Sequence, residues 1–148
     1  MQTRIRVATT DDIDTLFAIR TSVVQNHLSR EQMAGLGITP QVLADTIQAA
    51  PCVWIAEVEG QPVAFAMVDL AQGEVFAMFV LPSHERLGLG RQLMAVAEAA
   101  LFKHHQRLFL ITDGGADIRA NGFYQRLGWS VVGRVEGDDV RYEKSRVD

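Results

Sequence analysis

Several things are scarce in this chain, and each scarcity excludes something. One cysteine, Cys52, occurs in 148 residues, so no internal disulfide can form. Its apolar, strand-like surroundings suit core packing better than a reactive thiol. Basic residues are outnumbered, 14 Lys and Arg against 18 Asp and Glu, giving a net charge of −4. A broad positive field for a nucleic-acid backbone is therefore missing, and no nucleic-acid partner is expected. No apolar run approaches the length of a membrane span. The opening Met1-Gln2-Thr3-Arg4-Ile5-Arg6 has no secretory apolar segment, so a cytoplasmic protein without a membrane partner is expected. Among the histidines, His104 and His105 are adjacent at a helix end and point in different directions, a spacing that does not build a metal site. Internal repeats, linkers and low-complexity segments are also missing.

What is present is an ordinary globular composition, 48% hydrophobic, in a length that suits one domain over residues 1–148. Ile5–Ala8 reads as a strand. Thr9-Thr10-Asp11-Asp12 supplies helix-capping residues ahead of an apolar stripe at Ile13, Leu16, Phe17, Val23 and Val24. Ser29 with Gln32 forms a second capping pair, with Leu28 and Met33 as its apolar staple and Gly35 as its stop. Thr39-Pro40 opens a third helix, with Val42, Leu43 and Ile47 facing inward. Cys52–Val58 and Pro62–Leu70 read as strands joined at Glu59-Gly60, followed by a turn at Gln72-Gly73. Later come a buried strand over Arg107–Thr112, a helix over Ile118–Leu127 ended by Gly128, and a hairpin of Trp129–Val135 with Val140–Glu143. This order predicts an α/β sandwich, a mixed sheet with helices on both faces.

The centre of the chain carries the chemistry. The apolar run Val75–Leu81 reads as a buried strand, and Leu89, Leu93, Val96, Ala97, Ala100 and Leu101 recur at helical spacing. Between them lies Pro82-Ser83-His84-Glu85-Arg86-Leu87-Gly88-Leu89-Gly90-Arg91, with two glycines where the helix begins. Unpaired N–H groups at a helix start, with the positive end of its dipole, attract an anion, and glycine lets a phosphate come close. Gly-x-Gly alone is also what a tight strand-to-helix turn requires. Neither the third glycine of a dinucleotide fingerprint nor the Gly-Lys-Ser/Thr of a nucleoside-triphosphate loop is present.

With Val80, Pro82, Gly88 and Gly90 in one motif and Ala120-Asn121-Gly122-Phe123-Tyr124-Gln125-Arg126-Leu127-Gly128-Trp129 in a second, the chain resembles the GCN5-related N-acetyltransferase superfamily. That resemblance implies a mixed, mostly antiparallel sheet of six to seven strands with a V-shaped splay between strands four and five. It implies transfer of an acetyl group from acetyl-CoA to a primary amine of a small molecule or peptide, by direct attack in a ternary complex. No metal is implied, and a homodimer is common among such proteins. The resemblance assigns the pyrophosphate to the backbone of Glu85, Arg86, Leu87, Gly88, Leu89, Gly90 and Arg91, and the pantetheine and thioester to the backbone of Phe79 and Val80. Tyr124 matches the general acid and Glu74 the general base. Period two places Glu74 on one face of the strand with Val80.

Some positions depart from the family pattern. Glu85, Arg86 and Leu87 replace the usual polar or basic residue, glycine and basic residue, and Glu85 is expected to point outward, leaving Arg86 or Arg91 to supply charge. Asp117 stands where an asparagine commonly contacts the pantetheine. The acceptor-choosing segments, about residues 21–50 and 135–140, together with Arg20 just ahead of them, select no substrate class. Trp54 and Trp129 read as core residues, and Arg119 and Arg126 as surface charges. Two other functions are compatible with the cradle: a non-catalytic acyl-CoA-binding or regulatory domain, and a tRNA-acetylating toxin, against which the acidic balance counts.

Overall fold

Local capping sets the first third of the chain. The computed structural model describes residues 2–23, 28–115 and 119–147. After strand β1 (Thr3–Val7), the Thr9 side chain accepts from the backbone of a short 3-10 turn, and the Asp12 carboxylate accepts the Thr9 N–H at 2.8 Å. Helix α1 (Ile13–Ser22) follows. Ser29 and Gln32 form the second expected capping box, on α2 (Arg30–Gly35), and Thr39 caps α3 (Pro40–Ala49) with proline in its first turn. Two details differ from expectation. Gly35 is the last helical residue of α2, and the left-handed position after it is Gly37 (φ 84°). On α3, Leu43 is buried and Ile47 packs on the core, but Val42 is 48% exposed, one position off the inward stripe.

Seven strands then form one sheet in the order β1-β2-β3-β4-β5-β7-β6. They are β1 with β2 (Val53–Val58), β3 (Gln61–Asp69), β4 (Glu74–Val80), β5 (Arg107–Asp113), β6 (Ser130–Glu136) and β7 (Asp139–Ser145). Every pairing is antiparallel except β4 with β5. Glu59 (φ 51°) and Gly60 (φ 80°) make the two-residue β2–β3 turn with both centres left-handed, the hairpin geometry that matches strand twist. In β3, Val63, Ala64, Phe65 and Ala66 are buried in succession, which requires cover on both faces. Met67 packs with Phe17, Met33 and Leu43 of α1, α2 and α3 on one face. The other helices are α4 (Leu89–Phe102) and α5 (Arg119–Arg126), and α4 packs on β2, β3, β4 and β5 with Leu93, Ala97 and Leu101 fully buried.

Trp54, Trp129 and Cys52 are core residues, as expected. Burial, with a smaller push from Asp69, raises the Cys52 thiol. The Trp129 indole donates to Glu98, which also holds Lys144, tying α4 to β7. His105 likewise has a structural place: its ring lies over Gly73, where a Cβ would come within 3.0 Å, and its Nε2 is 2.6 Å from the Leu70 carbonyl oxygen. No helix among the described residues is long and apolar enough to cross a membrane.

One ion pair secures the first helix to the sheet. Arg6 donates to both Asp12 oxygens at 2.8 and 2.9 Å and to Glu57 at 3.1 Å, so β1, β2 and the cap of α1 share one guanidinium. The Arg6 hydrogen bond holds the Asp12 carboxyl below its usual range, against the opposing effect of burial. Asp12→Ala should cost about 2 kcal/mol of stability at pH 7, as expected for charged hydrogen bonds in a mostly buried site. Because the folded pKa is depressed, this contribution is present above the ordinary Asp value of 3.8 and is lost as pH falls through the folded value. Urea denaturation of both proteins from pH 7 to about pH 3 checks this. A gap that does not narrow over that range would show that the ionised carboxylate is not what stabilises.

Candidate active site

The site begins where two strands separate. Among the described residues β4 and β5 register at one pair, Glu74 with Phe109, and the Phe109 N–H donates to the Gly73 carbonyl at 3.0 Å. Beyond that pair a cleft of about 780 Å³ opens, walled by Ala77–Val80 of β4 and by Leu110, Ile111 and Thr112 of β5. The expectation of a buried β4 is corrected here. Only Val75 is fully buried and Phe76 is 47% exposed, because the side that would meet a neighbouring strand faces the cleft.

The register fixes which backbone groups face that cleft. The Leu81 N–H donates to the Val63 carbonyl at 2.8 Å, and Phe79 pairs with Phe65, so odd-numbered residues here bond to β3. Successive residues of a strand aim their N–H and C=O groups to opposite edges. Met78 and Val80 therefore present theirs to the cleft, while the Phe79 backbone is committed to β3. Of the expected pair Phe79 and Val80, Val80 turns its backbone to the cleft and Phe79 does not, and Met78 joins Val80 there. The alternation itself is the signal that could have excluded two consecutive residues.

At the wide end of the cleft, Pro82–His84 make a 3-10 turn, and the chain then passes through left-handed conformations at Arg86 (φ 66°) and Gly88 (φ 80°). Helix α4 starts at Leu89 with no side-chain cap, leaving its first amides for another acceptor. Glu85, Arg86, Gly88, Leu89, Gly90 and Arg91 line the cleft. Among the described residues of this turn Leu87 does not, and it is 40% exposed. Glu85, expected to point outward, is partly exposed and belongs to the lining. The two glycines have different reasons. Gly88 holds a positive φ in open space, whereas a Cβ on Gly90 would lie 3.3 Å from the Phe123 ring. Gly90 is thus small to admit the Phe123 ring of α5.

Phe123 stacks edge-on against Tyr124, and both line the cleft. Tyr124 also packs on Tyr142, whose hydroxyl donates to Asn121 at 3.0 Å. Asn121 in turn donates to the carbonyls of Asp113 and Gly115, so α5, β7 and the end of β5 are tied together beneath the tyrosine. Burial is the dominant cause that pushes the Tyr124 phenol up to about 12, a hydrogen bond with Thr112 opposes it, and Tyr142 adds to it. Phe123, Asn121 and Thr112 were not picked out from sequence as site residues. The first two lie inside the second motif, and Thr112 is marked only by its place near a strand end.

Glu74 is placed by a bulge. Ala77 pairs with Met67 and Val75 with Val68, leaving Phe76 as an extra residue. Side-chain alternation is reset there, so Glu74 shares a face with Ala77 and Phe79, not with Val80. Burial raises the Glu74 carboxyl, its strand partner Asp69 raises it further, and Arg141 opposes them. Arg141 lies over the Phe109 ring at 4.0 Å and pairs with Glu143. Asp117 lies outside the described residues. His84, held at Nδ1 by the Ser83 hydroxyl at 2.7 Å, lines the cleft, as does Arg126. Among the described residues no group of His, Cys, Asp and Glu is arranged to hold a metal.

The model of the acetyltransferase (GNAT) family matches residues 19–129. Solved structures share the fold over nearly the whole chain. The PaiA N-acetyltransferase of Thermoplasma acidophilum, in complex with coenzyme A, superposes with a TM-score of 0.80 at 18% identity, over 99% of this chain and 100% of that one. A ribosomal-protein-alanine N-acetyltransferase of Brucella melitensis gives 0.73 at 21% identity, over 97% and 99%. An Arabidopsis thaliana protein in complex with the bisubstrate analogue CoA-Ac-MVNAL gives 0.72 at 14% identity, over 99% and 100%.

The turn geometry generates a prediction. Gly88→Ala adds a Cβ that meets no neighbour, so its effect is confined to the left-handed backbone, about 1–2 kcal/mol for a residue with a Cβ. If that backbone aims the amides of the turn at a diphosphate, the variant should bind acetyl-CoA about tenfold or more weakly by calorimetry. Lowered thermal stability with unchanged acetyl-CoA affinity would assign the glycine to folding alone.

Proposed function

The chain belongs to the GNAT acetyltransferase family, and from that premise we propose that it transfers an acetyl group from acetyl-CoA to a primary amine of a small molecule or peptide, by direct attack within a ternary complex. The observation that carries the proposal is the cleft between β4 and β5, where backbone groups of Met78 and Val80 without a strand partner share one space with the Tyr124 phenol. The residues suit the donor. Unpaired strand groups match the amides of a pantetheine arm, and the uncapped start of α4, with Arg86 and Arg91 beside it, matches a diphosphate.

In the reaction the amine nitrogen bonds to the carbonyl carbon and the carbon–sulfur bond breaks. The N–H of Met78 or Val80 opposes the negative charge that grows on the carbonyl oxygen, and it needs no reorganisation because the strand already fixes it. Glu74 receives the proton that the amine gives up. Three steps of the partner strand, Ala66 to Asp69, separate the levels of Met78 and Glu74. That is about 10 Å at ordinary strand rise, so water relays the proton. Tyr124 gives its proton to the departing sulfur. A phenol pushed up to about 12 is fully protonated at neutral pH. It is also a weak acid, but the desolvation that raises it raises a thiolate in the same cleft as well, which keeps the transfer feasible.

Two variants test the roles. Tyr124→Phe should lower kcat tenfold or more, the contribution of a positioned acid being about 10²-fold or greater. Release of free CoA follows the rate, and an unchanged kcat in a folded variant would remove the tyrosine from the chemistry. Glu74 is active when ionised, so its raised pKa predicts an acidic limb centred above the ordinary Glu value of 4.5. Glu74→Gln should flatten that limb, and a pH–rate profile matching wild type would dismiss Glu74 as the base.

A further inference from the structure

Arg20 stands apart from the other arginines that pack against the protein. Arg6 and Arg141 are paired with carboxylates, and Arg30 and Arg107 have more distant ones. Arg20, in the last turn of α1, is half-buried, and among the described residues its Nη1 is buried with no hydrogen-bond partner. Burial pulls its pKa down from the ordinary value. Its guanidinium lies 4.1 Å from the centre of the Phe79 ring. That cation–π contact recovers part of what desolvation removes, but it satisfies no N–H donor.

The position of the group matters more than its isolation. Arg20 lines a small pocket of about 60 Å³ with Phe17, Phe65, Met67, Phe76 and Ala77. Phe76 and Ala77 also line the large cleft, so the two spaces share these two residues of β4 as a wall. The bulge at Phe76 puts Glu74 on the same face as Ala77 and Phe79, the face covered by Arg20. Phe79 lies between Met78 and Val80, the residues whose backbone groups face the cleft. An unpaired guanidinium and the base therefore flank the same side of the reacting strand, away from the uncapped turn of α4.

We propose that Arg20 binds a carboxylate carried by the acceptor, so that the acceptors are amino acids or other small amines with a carboxylate close to the nitrogen. This deepens the acetyltransferase reading and rests on it. One guanidinium in an otherwise apolar pocket neutralises one carboxylate and can do so through two parallel hydrogen bonds. A phosphate would leave a second charge uncompensated in the same pocket. A peptide whose carboxylates lie far from its N-terminal amine would leave the guanidinium unpaired.

The test compares amines matched except for the carboxylate, such as phenylalanine with phenethylamine and lysine with cadaverine. Wild type should favour the carboxylated member in kcat/KM, and Arg20→Met should reduce that preference about tenfold to a hundredfold, mainly through KM. Arg20→Lys should recover part of it, since the charge remains and the fork is lost. A second arm needs no turnover: wild type with CoA should bind N-acetylphenylalanine but not N-acetylphenethylamine, and Arg20→Met should abolish the difference. Equal use of both members by wild type, a preference for phosphorylated amines, or an equal loss on both members in Arg20→Met would overturn the proposal and leave Arg20 as packing for Phe79. If no amine of either kind releases CoA, acetyl transfer fails as a reading, and the binding arm alone decides the carboxylate.

Discussion

Unpaired backbone in the middle of a sheet is the constraint from which this molecule is built. β4 pairs along its length with β3 but meets β5 at only one registered position. Polar main-chain groups buried without a partner are costly, and native proteins almost never leave them so. A strand edge opened inside the fold therefore turns its amides and carbonyls to the cleft, where water or the amides of a ligand can complete them. The same opening leaves Phe76 of β4 exposed beside the cleft.

Holding the strands apart requires rigid support on the far side of the opening. Gly90 gives the Phe123 ring room at the start of α4, Tyr124 leans on Phe123 and Tyr142, and Asn121 fastens the loop after β5. Trp129, Glu98 and Lys144 tie the opposite end of the same assembly. The cleft is consequently part of the core's own packing. Its phenol is carried by α5, whose position is set by contacts to α4, β5 and β7.

The sequence was most legible where local chemistry dictates local structure. Thr9 with Asp12, Ser29 with Gln32, and Thr39-Pro40 announced their helix starts by side chains that can reach only nearby amides. The two motifs marked the end of β4, the turn after it and the α5 tyrosine, but not the β5 wall. Errors arose where the answer depends on a partner strand or a distant side chain. Gly35 and Gly37 are separated by one residue, and only the end of the α2 packing decides which is left-handed. The bulge at Phe76 carries no glycine or proline to betray it, because it comes from the register against β3, and it alone reversed the face assigned to Glu74. Arg20 reads as an ordinary helical cation until the Phe79 ring is found beneath it.

A single physical cause, desolvation beside the opened strand, acts on three groups with three different charges. It raises Glu74, raises Tyr124 and lowers Arg20, in each case favouring the neutral form. The consequences diverge because the groups start from different values. Raising a carboxyl makes it a stronger base, while a phenol raised to about 12 keeps its proton at neutral pH. A guanidinium starts so high that it stays charged, so the same burial leaves a cation whose Nη1 has no partner among the described residues. Three groups on different elements thus answer to one cause, and the opening between β4 and β5 exists because two parallel strands part after a single shared rung.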